Sequence, residues 1–322
     1  MRRSIIATVV AAGLVLAACG DDDEPVADTT PEATDEATAE PSDDTSDDMT
    51  DDRTDDASDD MSDDTADGEL GAAAECAAGN TLEDGVLTIA TGEPAFPPYV
   101  LNDATPEDGQ GFEAAVAMAV AAELGFDADS VTWVRTAFDA AIAPGPKDFD
   151  FNLQQYTITP ERAEVVDFSE GYYSASQAIF GLTDSAAAGA TTLDDLKSLK
   201  IGVAAGTTSV TYVEDVIAPD NELLIFNDNA SAKQALESNQ IDAIVSDLPT
   251  ALYITAVEIE GTSVFGQIEG SGTDEFGLLL AKDSPLTPCV DLALAALRDS
   301  GELDQITQTW MSDFTEAPVI SL

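Results

Sequence analysis

Beyond residue 70 the chain has only three arginines, Arg135, Arg162 and Arg298, set among 41 aspartates and glutamates. A guanidinium is the side chain best matched to a carboxylate, because two parallel N–H groups meet its two oxygens. Arg162 stands in Thr157-Ile-Thr-Pro-Glu-Arg162, where Thr159 can cap a short helix beginning at Pro160. In so acidic a chain the alternative is a surface ion pair. Gly206-Thr207-Thr208 follows an apolar segment and opens a helix, so its N–H groups point out of a positive dipole end toward an anion, unless the motif is a plain cap. Asp247 also follows an apolar segment at a helix start, where it can receive an ammonium or serve as a cap. Together these groups suit a zwitterion that presents a carboxylate and an ammonium.

The elements that carry them alternate in type. Strand patterns occur at Val86 to Ala90, Val131 to Val134, Phe149 to Leu153, Lys200 to Ala204, Leu223 to Phe226 and Ile241 to Ser246. Helical patterns occur at Gly111 to Leu124, with Gly125 as the stop, and at Ala137 to Ala143, Thr191 to Leu196, Thr207 to Ile217 and Asn229 to Ser238. Two late helices, Pro288 to Asp299 and Glu302 to Ser312, turn Leu292, Leu294, Ala295 and Leu297, then Leu303, Ile306 and Trp310, toward a core. The class is α/β, and a stretch of about 250 residues is long enough for two domains.

The N-terminus reads differently. Residues 1–18 form a signal peptide: Met1-Arg2-Arg3 is a positive start, and Ile5 to Ala18 is an apolar run short for a membrane span. Leu16-Ala17-Ala18-Cys19-Gly20 resembles the lipobox of bacterial lipoproteins, which implies acylation of Cys19 and a membrane anchor. Residues 19–70, rich in Asp-Asp pairs, cannot bury enough apolar surface to fold and read as a disordered acidic tether. A neutral coil of this length would span on the order of 40 Å, and charge repulsion lengthens it. Beyond the tether 8 Lys+Arg face the 41 acids, a balance that excludes a nucleic-acid partner.

Cys76 and Cys289 remain once Cys19 is lipidated, and they allow one intrachain pairing. An extracytoplasmic address favours a disulfide over two free thiols.

The ordered set Gly85-Val-Leu-Thr-Ile-Ala-Thr-Gly92, Gly111-Phe-Glu113, Thr157 to Arg162, Val166-Asp-Phe-Ser169 with Tyr172-Tyr173, Asp194-Asp-Leu-Lys197, Gly202 to Thr208 and Ile241-Asp-Ala-Ile244 resembles the amino-acid-binding branch of bacterial extracellular solute-binding proteins, family 3. The resemblance covers about Leu82 to Phe314. It implies a periplasmic-binding-protein type II-like fold: a first lobe of residues 76–181 and 276–322, a second lobe of 182–275, and hinge strands at Ala178 to Thr183 and Phe276 to Ala281. It implies that Arg162 and Thr208 bind a ligand carboxylate, that Asp247 binds its ammonium, and that Thr157 adds a hydroxyl. Gln154 and Gln155 stand where relatives have small residues and narrow the pocket, with a solvated loop as their alternative. Phe96 aligns with a stacking aromatic, Phe138 with an apolar wall that could equally be core, and Glu93 with a position near the ligand side chain.

Together with the leader, the resemblance implies an extracytoplasmic, lipid-anchored protein that captures a free polar L-amino acid and delivers it to the permease of an ABC importer, with no cofactor and no metal site expected. A sensor or surface-receptor component is the alternative. A lyase on the same fold is a weaker one, since the chain has no histidine, no zinc spacing and no phosphate-binding glycine loop with lysine.

Overall fold

The computed structural model describes residues 71–268, 274–312 and 319–320. The signal peptide, Cys19 and the acidic tether lie outside the described residues. Among these residues no helix is long and apolar enough to cross a membrane.

In chain order the elements are α1 (Ala72–Ala77), β1 (Leu87–Gly92), α2 (Phe112–Glu123), β2 (Val131–Thr136), α3 (Phe138–Ile142), β3 (Phe151–Asn152), α4 (Pro160–Ala163) and β4 (Val166–Ala175). There follow β5 (Gln177–Leu182), α5 (Leu193–Leu196), β6 (Ile201–Ala204), α6 (Thr208–Tyr212), β7 (Leu224–Phe226), α7 (Asn229–Glu237), β8 (Ala243–Asp247) and α8 (Leu248–Tyr253). The chain closes with β9 (Thr262–Ile268), β10 (Asp274–Ala281), α9 (Thr287–Asp299), α10 (Glu302–Met311) and β11 (Val319–Ile320).

Two sheets organise the chain. The first has the strand order β2-β1-β3-β10-β4 and the second β11-β9-β5-β8-β6-β7. In the first sheet β1 runs parallel to β2 and β3, while β10 runs antiparallel to β3 and β4. In the second, β6 is parallel to β7 and β8, and β5 is antiparallel to β8 and β9. β1 and β6 are buried almost continuously, as strands covered on both faces must be. Each sheet has its own core: Leu87, Ile89, Phe112, Val120, Phe276 and Leu294 belong to the first, and Ile201, Val203, Val213 and Val245 to the second. We call the two halves the first and second lobes.

The boundaries differ from the expected ones in two places. β5 lies wholly in the second sheet and β10 in the first, so the chain passes from the first lobe to the second at Ser176, between β4 and β5, and β9 and β10 again belong to different lobes. The assignment of 276–322 entirely to the first lobe is corrected at its end, because β11 pairs parallel with β9 and Ile320 is buried in the second core. A two-residue strand carries too little pattern to be read from sequence. Of the four core positions expected on α9, Leu294 and Leu297 are buried as expected and two are not. Val290, Ala293, Leu294 and Leu297 are buried while Leu292 and Ala295 are exposed, because the helix leans on α1 and α2 rather than on the sheet alone.

Cys76 and Cys289 form the expected disulfide, with Cα atoms 5.3 Å apart across 213 residues, and it fastens α1 to α9. Gly111 opens α2 at φ 110°, and a Cβ there would lie 2.5 Å from the Tyr99 carbonyl oxygen. Only glycine allows this approach. Through it the Tyr99 and Pro98 carbonyls accept the first N–H groups of α2, which no helical carbonyl can satisfy.

Candidate functional site

The carboxyl ends of the parallel strands of both sheets open onto one cavity of about 360 Å³. Glu93 and Phe96 follow β1; Ala137 and Phe138 follow β2; Gln154, Gln155 and Thr157 follow β3. From the second lobe come Thr207 and Thr208 after β6, Asp228 after β7, and Ser246 and Asp247 at the end of β8. Open α/β sheets offer ligands this end, where strands stop and helix N-termini begin. All nine residues read from the sequence as ligand contacts (Arg162, Thr157, Thr208, Asp247, Gln155, Phe96, Glu93, Phe138 and Gln154) line this cavity. Arg162, Thr207 and Thr208 also border a second cavity of about 590 Å³, with Gln177 and Asp274 in its wall.

Arg162 is 9% exposed and is held by local chemistry. The Thr159 hydroxyl accepts the Arg162 backbone N–H at 3.2 Å, capping α4 as the sequence suggested. Its guanidinium donates to the Thr157 carbonyl at 2.7 Å and, across the lobes, to the Gly206 carbonyl at 2.9 Å. The Phe138 ring centre lies 5.5 Å from its central carbon, and that ring stacks on Tyr156 at 4.6 Å. Phe138 therefore belongs to both the core and the cavity wall. Arg135 and Arg298 pair with Asp103 and Glu170, whereas Arg162 has no ion pair among the described residues. Burial lowers its proton affinity, opposed by Tyr156, Asp274 and Asp247. A guanidinium has five N–H donors, so donors remain after two carbonyls are served.

Asp247 starts α8 but makes no cap; its Oδ1 accepts from Gln177 Nε2 at 2.7 Å. The same Gln177 nitrogen donates to Asp274 Oδ2 at 2.6 Å, which also accepts from the Thr208 hydroxyl at 3.1 Å. Ser209 donates to Gln177 Oε1 at 2.7 Å and fixes the amide's orientation. Burial, and then the nearby charge of Asp274, push Asp247 up to about 8, with Gln177 and Arg162 opposing. A carboxylate so placed lacks a cation close enough to offset its desolvation, which an ammonium would supply.

Thr207 donates to the Ala204 carbonyl at 2.8 Å and caps nothing, so the strand-to-helix turn is held from behind, with Gly206 at φ 73°. Gln154 accepts from the Tyr156 hydroxyl at 2.9 Å, and Gln155, at φ 52°, is bound to Glu113. Neither is a loosely solvated loop residue. Lys233 of the second lobe lies 5.6 Å from the Phe96 ring centre and 2.7 Å from Glu258. Among the described residues the cavity wall thus carries Glu93, Asp139, Asp228 and Asp247 against the single cation Arg162.

Sequence reasoning missed Gln177, Asp274, Ser209 and Glu113. Gln177 had one signal, an amide opening the apolar run Gln-Ala-Ile-Phe, and Glu113 another, an acid inside the apolar α2. Asp274 had none. Among the described residues no cluster of His, Cys, Asp and Glu is arranged to hold a metal.

Residues 87–313 match the family described as bacterial extracellular solute-binding proteins, family 3. The chain is 30% identical over 231 residues to an L-arginine-binding protein of Pseudomonas aeruginosa, covering 68% of this chain and 86% of that one. It is 29% identical over 233 residues to the L-cystine-binding protein TcyJ of Escherichia coli, covering 71% and 83%. Among solved structures it resembles an ancestral arginine-binding protein bound to glutamine, with a TM-score of 0.61, 32% identity, and coverage of 71% of this chain and 98% of that one. The fold is accordingly the two-lobed type II periplasmic-binding fold. With the cavity lying where both sheets end, this chain belongs to the bacterial extracellular solute-binding proteins of family 3.

Proposed function

We propose that the cavity binds one free L-amino acid for delivery to the permease of an ABC importer, and that Cys19 anchors the protein at the outer face of the cell membrane. The observation that carries the reading is Arg162, a buried guanidinium with no ion pair among the described residues, lining the same cavity as Asp247, whose proton affinity is raised. A ligand carboxylate on Arg162 and Thr208 and a ligand ammonium on Asp247 would satisfy both at once. Because Arg162 and Thr157 belong to the first lobe and Thr208 and Asp247 to the second, such a ligand ties the lobes together. It then favours a closed state by the difference in contacts.

The side-chain end carries Glu93, Asp139 and Asp228, so a cationic or neutral polar side chain is favoured and an acidic one repelled. The arginine-binding relatives support this preference. A volume of about 360 Å³ is at the small end for ligand pockets, suited to a single amino acid. The test is a thermal-shift screen of the common amino acids, cystine and related polar metabolites against the native chain and Arg162→Ala. An upward shift with one or a few amino acids that disappears in the variant supports the reading; no shift, or an equal one in both, refutes it.

A further inference from the structure

Glu113 is not among the residues that line the cavity, yet its chemistry reaches it. It sits in the first turn of α2, 1% exposed, between the buried Phe112 and Ala114. Burying a carboxylate with no cation beside it is costly, and an apolar residue would suit this helix better. Three donors converge on it instead. Glu113 Oε1 accepts the Gln155 backbone N–H at 2.7 Å and the Tyr172 hydroxyl, and Oε2 accepts the Gln155 side-chain nitrogen.

Gln155 is therefore gripped at two points, and the grip falls on a residue whose backbone is in the left-handed region, at φ 52°. A residue with a Cβ holds that conformation only where its surroundings impose it. An ionised carboxylate can only accept, so it compels the Gln155 amide to turn its nitrogen inward. The amide oxygen is left without a hydrogen bond among the described residues, on a side chain whose residue lines the cavity. Its neighbour Gln154 shows the opposite polarity, since its oxygen is engaged by Tyr156, and its amide lies against Gly92 on the Glu93 side of the cavity.

We propose that Glu113 is a positioning residue for specificity: by fixing Gln155 with its amide oxygen toward the cavity, it adds an acceptor that favours a positively charged ligand side chain over a neutral one of the same shape. This rests on the cavity being an amino-acid site.

The test compares L-arginine with L-citrulline, which keeps the shape and replaces a charged amidinium nitrogen by oxygen, using calorimetry on the full chain at pH 8.5. That pH lies above the value of about 7 to which burial raises Glu113. In Glu113→Gln the new side chain has one acceptor and one donor. The acceptor keeps the Gln155 backbone N–H, and the donor can face only an inverted Gln155 amide. The arginine-to-citrulline affinity ratio is expected to fall about tenfold or more, the size of one charge-assisted hydrogen bond. Gln155→Met should lower the ratio equally, and the double variant no further.

An unchanged ratio in Gln155→Met overturns the proposal even if Glu113→Gln does not fold. A second measurement needs no ligand. Exchange of the Gln155 backbone amide proton should be at least about tenfold faster in Glu113→Leu, which removes both acceptors, than in the native chain; equal rates overturn the proposal. Failure of the native chain to bind any amino acid counts against the proposed function, and the exchange result then decides the clamp separately.

Discussion

Arg162 Nη2 and the carbonyl oxygen of Gly206 lie 2.9 Å apart, although one residue belongs to the first lobe and the other to the second. The same guanidinium donates to the Thr157 carbonyl within its own lobe, so Arg162 spans the cleft through backbone groups that no substitution can remove. It also interacts with Asp247 and Asp274, and its charge offsets part of their mutual repulsion.

Arg162→Lys should separate charge from geometry. The ammonium keeps the offset to Asp247 and Asp274 but cannot meet a carboxylate with two parallel N–H groups. The ligand-free chain should lose about 1–3 kcal/mol in Arg162→Ala, where two carbonyls lose their donor, and less in Arg162→Lys. Ligand affinity should fall at least tenfold in both. Urea unfolding and calorimetry check the pair; native-like affinity in the lysine variant would show that the fork is not used.

The disulfide joins α1 to α9 across 213 residues, closing almost the whole folded chain into a loop. In the chain-entropy account so long a loop stabilises by about 5 kcal/mol by restricting the unfolded chain, and removing such a bridge typically costs about 2–5 kcal/mol. Cys76→Ser with Cys289→Ser should therefore lower the unfolding midpoint clearly. Neither cysteine lines the cavity, so ligand affinity should stay within about twofold. A large affinity loss at retained stability would place the bridge in the binding machinery.

The positions of the cavity residues were legible because each stands at or near the end of a strand that announces itself by a short apolar run. Arg162, Thr208 and Asp247 each follow or flank such a run within a motif. Gln177, Asp274 and Glu113 were not legible, because their roles exist only through partners far along the chain. Gln177 meets Asp247 and Asp274 at separations of 70 and 97 residues, and Glu113 meets Gln155 at 42. Local pattern encodes burial and element type; it does not encode which distant polar groups will share one amide. The same reason hid β11, whose two residues become a strand only because β9 offers an edge.

That strand allows a further check. Leu303 and Met311 of α10 are buried in the first core, whereas Ile320 of β11 is only 2% exposed in the second. Ile320→Ala removes buried surface and should cost about 2–4 kcal/mol. A loss below about 0.5 kcal/mol in urea unfolding would mean that β11 is not held in the second sheet in solution.

The final prediction concerns pH. Burial raises Asp247 to about 8 and Glu113 to about 7, whereas unfolded carboxylates ionise near 4. Between about pH 4 and 8 the folded chain therefore binds more protons at these groups than the unfolded chain does. Stability from these groups is fully present below about pH 4 and is lost as pH rises through 7 and 8. The ligand-free native chain should lose more stability between pH 5.5 and 8.5 than Asp247→Asn does, a comparison that cancels the background of surface acids. An ammonium placed on Asp247 favours its ionised form, so binding at pH 7 should release a proton, and affinity should rise with pH up to about 8, at most tenfold per unit. Calorimetry of L-arginine in buffers of different ionisation enthalpy counts that proton. Proton uptake on binding, or an affinity that falls as pH rises from 6 to 8, would remove Asp247 from the ammonium's side of the cavity.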